Sequence, residues 1–346
     1  MDARVVNKER LPEFLDRLAQ EQVLIAPVLE EDTITLFKRV SGAGEVTLDY
    51  TNSDVPPKVF FFPQTEKLLT FNTAGGALEI KKNGGTERRV LFGMRPCDIK
   101  SIEALDPVFN GTFKDDYFAE KRENTVIIGL SCSRVLSTCF CGAFNSGPCD
   151  GRGADLMFTE VGDCYYVEIN TKKGRTLVEA HSQCFSGQGI AEAAKNKEER
   201  QNELSGSFFR KVDFKGVKEI LDQHFELPYW DEISQKCLGC GICTFVCPTC
   251  HCFDIFDHVT GGYTGDRFRC WDSCMFSEFT RMAGGHNPRP SKKERVRNRF
   301  MHKLKYHLDR YQLEGCVGCG RCIEKCPVNI DITTIIKDLK EVGLNG

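Results

Sequence analysis

The sequence predicts an α+β protein in two parts: an N-terminal α/β domain over residues 1–215, then a smaller cysteine-rich domain over 216–346. Three observations lead there. Short apolar runs alternate with helical periodicity through the first part, as in α/β domains. From about Val217 onward cysteine dominates the composition, and the cysteine pattern of this second part occurs twice, at an offset of 79 residues. At 346 residues the chain is long enough for two cores.

In the first part, Leu11, Phe14, Leu15 and Leu18 recur at helical spacing and predict an opening amphipathic helix. Residues 59–62, 89–92 and 126–129 read as buried strands bounded by turn residues, and 165–169 as another that ends in a turn over 171–174. Residues 191–204, rich in Ala, Glu and Lys, predict a helix packed on the outside. Strand order does not follow from these patterns.

A hydrophobic content of 41% and a charged content of 27% are those of a soluble globular protein. The formal net charge of −3 gives no electrostatic case for nucleic acid or an anionic membrane. No apolar run approaches the ~18 residues of a membrane-spanning helix. The charged N-terminus lacks the apolar stretch of a secretion signal, so a cytoplasmic location is expected. The basic segment 284–302 reads as a solvated linker and helix face.

Nineteen cysteines, an odd number in a chain expected to meet a reducing compartment, point to metal ligation rather than disulfides. Cys237, Cys240, Cys243 and Cys247 follow the spacing C-x2-C-x2-C-x3-C with Pro248 next. Cys316, Cys319, Cys322 and Cys326 repeat it with Pro327 next. Gly239 and Gly241 answer Gly318 and Gly320. This is the spacing of the bacterial two-cluster ferredoxin, in which the first three cysteines wrap one [4Fe–4S] cluster and the fourth reaches the other. The expected ligand sets are therefore Cys237, Cys240, Cys243 and Cys326 for one cluster, and Cys316, Cys319, Cys322 and Cys247 for the second. Zinc modules use two separated cysteine pairs instead. The second domain is thus expected to be ferredoxin-like, with an insertion, residues 249–315, between its halves. That insertion holds Cys250, Cys252, Cys270 and Cys274, which read either as a further metal site or, more simply, as thiols packed around the clusters.

A second group lies in the first domain. Cys97 follows the strand at 89–92, Cys132 follows the strand at 126–129, and Cys139 and Cys141 come shortly after, with Cys149 as a fifth candidate. Thiols just beyond the ends of strands in an α/β sheet can converge at one edge. The alternatives are separate structural thiols or a third cluster, for which [4Fe–4S] is the first choice. No nucleotide-binding glycine motif and no histidine pair at helical spacing appears, and no catalytic residue is assigned.

Five stretches together resemble one family: Gly93-Met94-Arg95-Pro96-Cys97-Asp98, Cys139-Phe140-Cys141, Cys247-Pro248-Thr249-Cys250-His251-Cys252-Phe253-Asp254, Trp271-Asp272-Ser273-Cys274 and Ala283-Gly284-Gly285-His286-Asn287-Pro288-Arg289. The family comprises the sulfhydrogenase beta subunit, the A subunit of anaerobic sulfite reductase and the related iron–sulfur subunit of flavin oxidoreductase–heterodisulfide reductase systems. The resemblance implies an electron-transfer subunit of a multisubunit oxidoreductase. Its partners would be a flavin subunit that handles NAD(P)H and a catalytic redox subunit of hydrogenase, sulfite reductase or heterodisulfide reductase type. The alternative is an oxidoreductase subunit whose N-terminal domain binds its own flavin. A redox-sensing or structural metal protein is a third reading.

Overall fold

The structure, a computed structural model, describes residues 2–345. Among these residues eleven strands make two sheets: β1 (Asp2–Asn7), β2 (Val23–Glu30), β3 (Ile34–Val40), β4 (Thr65–Asn72), β5 (Glu79–Lys82), β6 (Arg89–Met94), β7 (Thr125–Leu130), β8 (Leu156–Val161), β9 (Cys164–Ile169), β10 (Phe253–Gly261) and β11 (Thr264–Trp271). The larger sheet has the order β1-β9-β8-β7-β6-β2-β3. Its central pairs β2–β6, β6–β7 and β7–β8 are parallel, while β3, β9 and β1 join antiparallel to their neighbours.

Parallel strands flanked by helices are buried on both faces, which is why β6 and β7 read as apolar runs. Val90, Phe92, Ile128, Leu130, Leu156 and Phe158 share one core with Leu11, Phe14, Leu15 and Leu18 of the helix Leu11–Glu21. Leu91, Ile127 and Met157 share the opposite core with Ile99, Ile102, Leu105 and Phe109 of the helix Pro96–Phe109. Each such side chain contributes about 1.5–3 kcal/mol of transfer free energy. The opening helix, three of the four expected strands and the helix Ile190–Gly206 lie where the sequence predicts them. The last is largely exposed and turns only Ala193 and Leu204 fully inward.

Three local expectations need correction. Residues 59–62 are not a strand: Pro57–Phe60 is a short 3-10 helix, and the amides of Phe61 and Phe62 both donate to Lys58 O. Pro56 and Pro57 set φ and remove two donors that a strand needs, while Phe61 and Phe62 still fill the second core. The expected turn at 171–174 is a helix start, with Thr171 Oγ1 accepting from the Gly174 amide at 3.2 Å to cap Lys172–Ala180. The basic segment 284–302 is not simply a solvated face, because the capped helix Lys292–Met301 buries Arg295 and Arg299.

The smaller sheet, β10-β11-β4-β5, joins distant parts of the chain. β10 and β11 come from the insertion between the cysteine motifs, and β11 pairs antiparallel with β4 from Thr264↔Asn72 to Cys270↔Thr65. Arg269 of β11 is buried and ion-paired with Glu66 of β4 and with Asp115. The first part of the insertion is therefore a hairpin zipped onto the N-terminal part.

Candidate iron–sulfur centres

Two loops of the same design carry the repeated motif. In each, two glycines adopt positive φ: 71° at Gly239 and 77° at Gly241 in the first, 65° at Gly318 and 79° at Gly320 in the second. A short helix follows, Ile242–Phe245 or Arg321–Glu324. The turn aims backbone N–H groups at sulfur in both copies, Gly239 N at Cys237 Sγ (3.3 Å) and Gly318 N at Cys316 Sγ (3.5 Å). Ile330 N points likewise at Cys326 Sγ, at 3.2 Å. Such donors favour the thiolate form that iron needs.

The fourth cysteine of the second motif lies with the first. Cys237, Cys240, Cys243 and Cys326 line one cavity of about 50 Å³, together with Cys322 and with Leu238, Ile242, Val296, Phe300 and Ile330 among others. Reciprocally, Cys247 is a close charge neighbour of Cys316, Cys319 and Cys322. Burial pushes the thiol of Cys316 up to about 12 and that of Cys319 to about 11. Metal-free, these thiols hold their protons, and ligation has to release them.

Around Cys247 the chain buries three cations. Lys58 Nζ donates to the carbonyls of Cys247 (2.8 Å) and Cys250 (2.6 Å) and lies 4.1 Å from the centre of the Trp271 ring. Arg299 donates to Cys243 O (2.8 Å) and Cys250 Sγ (3.4 Å), and Lys303 to Thr249 Oγ1 (2.7 Å). Lys303 sits in a single π-helical turn, His302–Tyr306. None of the three has a carboxylate partner among the described residues. Burial, helped by the Lys303 charge and opposed by the nearby thiolates, lowers Lys58 to about 8. It also disfavours the charge on Arg299, but the neighbouring thiolates outweigh it and hold the guanidinium well above its ordinary value. Buried cations without carboxylates need another anion close by, and a thiolate-ligated cluster is such an anion. The donor set therefore fits the group.

The N-terminal thiols also gather. Cys132 is a close charge neighbour of Cys97, Cys139, Cys141 and Cys149. β6 and β7 are adjacent and parallel, so the segments that follow them emerge side by side. Beside Cys132 lies Arg95, buried, stacked on Tyr50 at 4.0 Å and bonded only to the carbonyls of Leu48, Tyr50, Leu130 and Ser131. It is a further buried cation with no carboxylate partner among the described residues. Burial raises all four thiols, Cys139 to about 11.

This group abuts the second cysteine loop. Cys97 packs with Val317 and Cys319, Cys139 Sγ lies 3.9 Å from Cys319 O, and Phe140 N donates to Gly318 O at 2.9 Å. Asp98 and Arg321 form a fully buried two-point ion pair at 2.7 and 2.8 Å, and Arg321 also donates to Ser53 O. Sequence reasoning missed Asp98, Arg321, Lys58, Arg95, Arg299 and Lys303. Only Arg95, Asp98 and Arg321, each beside or within a cysteine motif, carried a local signal.

A family described as a 4Fe-4S dicluster domain matches residues 236–330, so two [4Fe–4S] clusters belong to this part of the chain. Over 336 residues the chain is 32% identical to the sulfhydrogenase 2 subunit beta of Pyrococcus furiosus, covering 97% of this chain and 98% of that protein. No solved structure matches. No helix among the described residues is long and apolar enough to cross a membrane.

Proposed function

Because the chain belongs to the family of sulfhydrogenase beta subunits, we propose that this iron–sulfur electron-transfer subunit is a cytoplasmic one-electron relay between two partners. One partner carries flavin and handles NAD(P)H; the other is a catalytic redox subunit of hydrogenase, sulfite reductase or heterodisulfide reductase type. Clusters carry single electrons whereas nicotinamide moves hydride, so a flavin has to stand between them. In this reading Cys237, Cys240, Cys243 and Cys326 hold the first cluster, and Cys316, Cys319, Cys322 and Cys247 the second. Cys97, Cys132, Cys139 and Cys141 hold a third [4Fe–4S] cluster beside Arg95.

The observation that carries the reading is the cavity that Cys326 shares with the three cysteines of the other motif. The route it implies has a surface end on either side. Cys240 is exposed, and Cys132 lines an open polar groove with Ser133, Glu160 and Arg200. The second loop, packed between them, makes the middle of the path. Lys58, Arg299, Lys303 and Arg95 stabilise added negative charge.

Iron and acid-labile sulfide in the anaerobically prepared full chain test this. The relay reading expects ~12 iron atoms, of which ~4 disappear in Cys132→Ser. A constant ~8 in both proteins removes the third cluster, and zinc in place of iron removes the relay. Subunits that co-purify with the native chain identify the partners.

A further inference from the structure

Cys250, Cys252, Cys270 and Cys274 lie outside the proposed ligand sets. Cys270 stands apart, its Sγ 3.6 Å from Thr65 Oγ1 at the seam between β11 and β4. The other three are drawn together by the hairpin. Cys252 immediately precedes β10 and Cys274 follows β11; Phe253 pairs with Trp271, and Asp272 N donates to Cys252 O at 3.0 Å. This closes the hairpin base and places Cys252 and Cys274, both free thiols, beside each other. Cys250 neighbours Cys274 on one side and touches Cys247 on the other. A continuous line of sulfurs thus runs from a cluster ligand to the hairpin base.

The buried cations extend along this line. Arg299 donates to Cys250 Sγ, a thiol outside the cluster set, and both Arg299 and Lys303 act on Cys252. An anionic cluster at Cys247 offsets part of that positive charge, and a thiolate further along the line offsets more. Cys274 is buried whereas Cys252 is partly exposed, the arrangement of a resolving thiol behind an attacking one.

We propose that Cys252 and Cys274 are a redox-active dithiol–disulfide couple that stores an electron pair beside the relay and exchanges it with a small-molecule disulfide. The proposal rests on the relay reading for its electron supply. Reduction breaks the Cys252–Cys274 S–S bond and takes up two electrons, delivered singly through the Cys247 side, and two protons from solvent. In the outward step the Cys252 thiolate attacks the external disulfide, whose S–S bond breaks and whose first thiol leaves with a proton. Cys274 then attacks the mixed disulfide, releases the second thiol and re-forms the internal S–S bond. The adjoining Cys274 thiol, with Arg299 and Lys303 nearby, holds the Cys252 thiol below its ordinary value, which suits it for the attack.

The test uses the full, cluster-loaded chain under anaerobic conditions with 2-hydroxyethyl disulfide as probe. After alkylation of free thiols and digestion without reductant, mass spectrometry should find a Cys252–Cys274 linked peptide at unchanged iron and sulfide. In Cys274→Ser the same treatment should leave Cys252 as a mixed disulfide with the probe. Cys270→Ser should behave as the parent. Cys252 and Cys274 both alkylated in full after oxidation, with no mixed disulfide in Cys274→Ser, would overturn the proposal. So would a metal lost from Cys252→Ser while the relay clusters remain. A chain without iron would instead refute the relay reading, and the linked peptide would still report on the couple.

Discussion

Two loops with one pattern occupy opposite environments. Leu238 of the first is 64% exposed and its counterpart Val317 in the second only 2%; Ile242 is 37% exposed and its counterpart Arg321 1%. Cys240 is exposed and Cys319 is buried. The backbone is the same in both, down to the two positive-φ glycines and the N–H donor to the first sulfur. What differs is the surroundings. The second loop lies under residues 138–141 and is pinned by Asp98, whereas the first has its outer side free. Identical local chemistry thus yields a surface site and an interior one. Hydrogen bonding, exposure and nearby charge tune a cluster's potential, so the two are expected to titrate apart.

The largest effect expected from breaking this pair of loops is loss of a cluster. Cys326→Ser should remove the signal of the cluster held by the first loop, and Cys247→Ser that of the second, in electron paramagnetic resonance of dithionite-reduced protein. If each variant loses the cluster of its own motif instead, the crossed assignment is wrong. Next in size is the buried pin between Asp98 and the second loop. Arg321→Leu leaves Asp98 charged and buried without its partner and should cost about 3–5 kcal/mol in chemical unfolding. Ile242→Ala at the matching exposed position should cost under about 1 kcal/mol.

The glycines sharpen the contrast further. Alanine at Gly239 or Gly318 meets the same left-handed backbone, a penalty of about 1–2 kcal/mol. A Cβ at Gly318 would also lie 2.5 Å from Cys141 N and 2.6 Å from Cys141 Cα, whereas at Gly239 the nearest atom is Met275 O at 3.8 Å. Gly318→Ala should therefore be the more destabilising of the two, and equal melting temperatures would contradict the close approach. The smallest expected effect is at Leu238. Leu238→Ser should leave stability within about 0.5 kcal/mol, while slowing stopped-flow electron exchange if the first loop faces a partner.

Three strands of the larger sheet, β6, β7 and β9, were readable in advance, because they are mostly buried and keep their apolar runs whatever the strand order. The run at 59–62 misled for the same reason, since apolar content reports burial and not backbone shape; there the two prolines decided. The basic helix misled because side chains such as Arg299 read as solvated unless an anion waits inside, and the cysteine-lined interior lies far away in sequence until the chain folds. The pairing of β11 with β4, across almost 200 residues, left no local trace.

By itself the sequence determined the two cluster-binding loops, since ligand spacing, glycines and the Cys-Pro ends are covalent facts whose geometry hardly depends on the rest of the chain. It also determined that thiols follow β6 and β7. Only the tertiary structure decided which loop is interior, which cations surround Cys247 and Cys132, and which spare thiols meet. Those are properties of neighbours, and here the neighbours are brought together by a hairpin, a buried ion pair and two glycines pressed against a distant backbone.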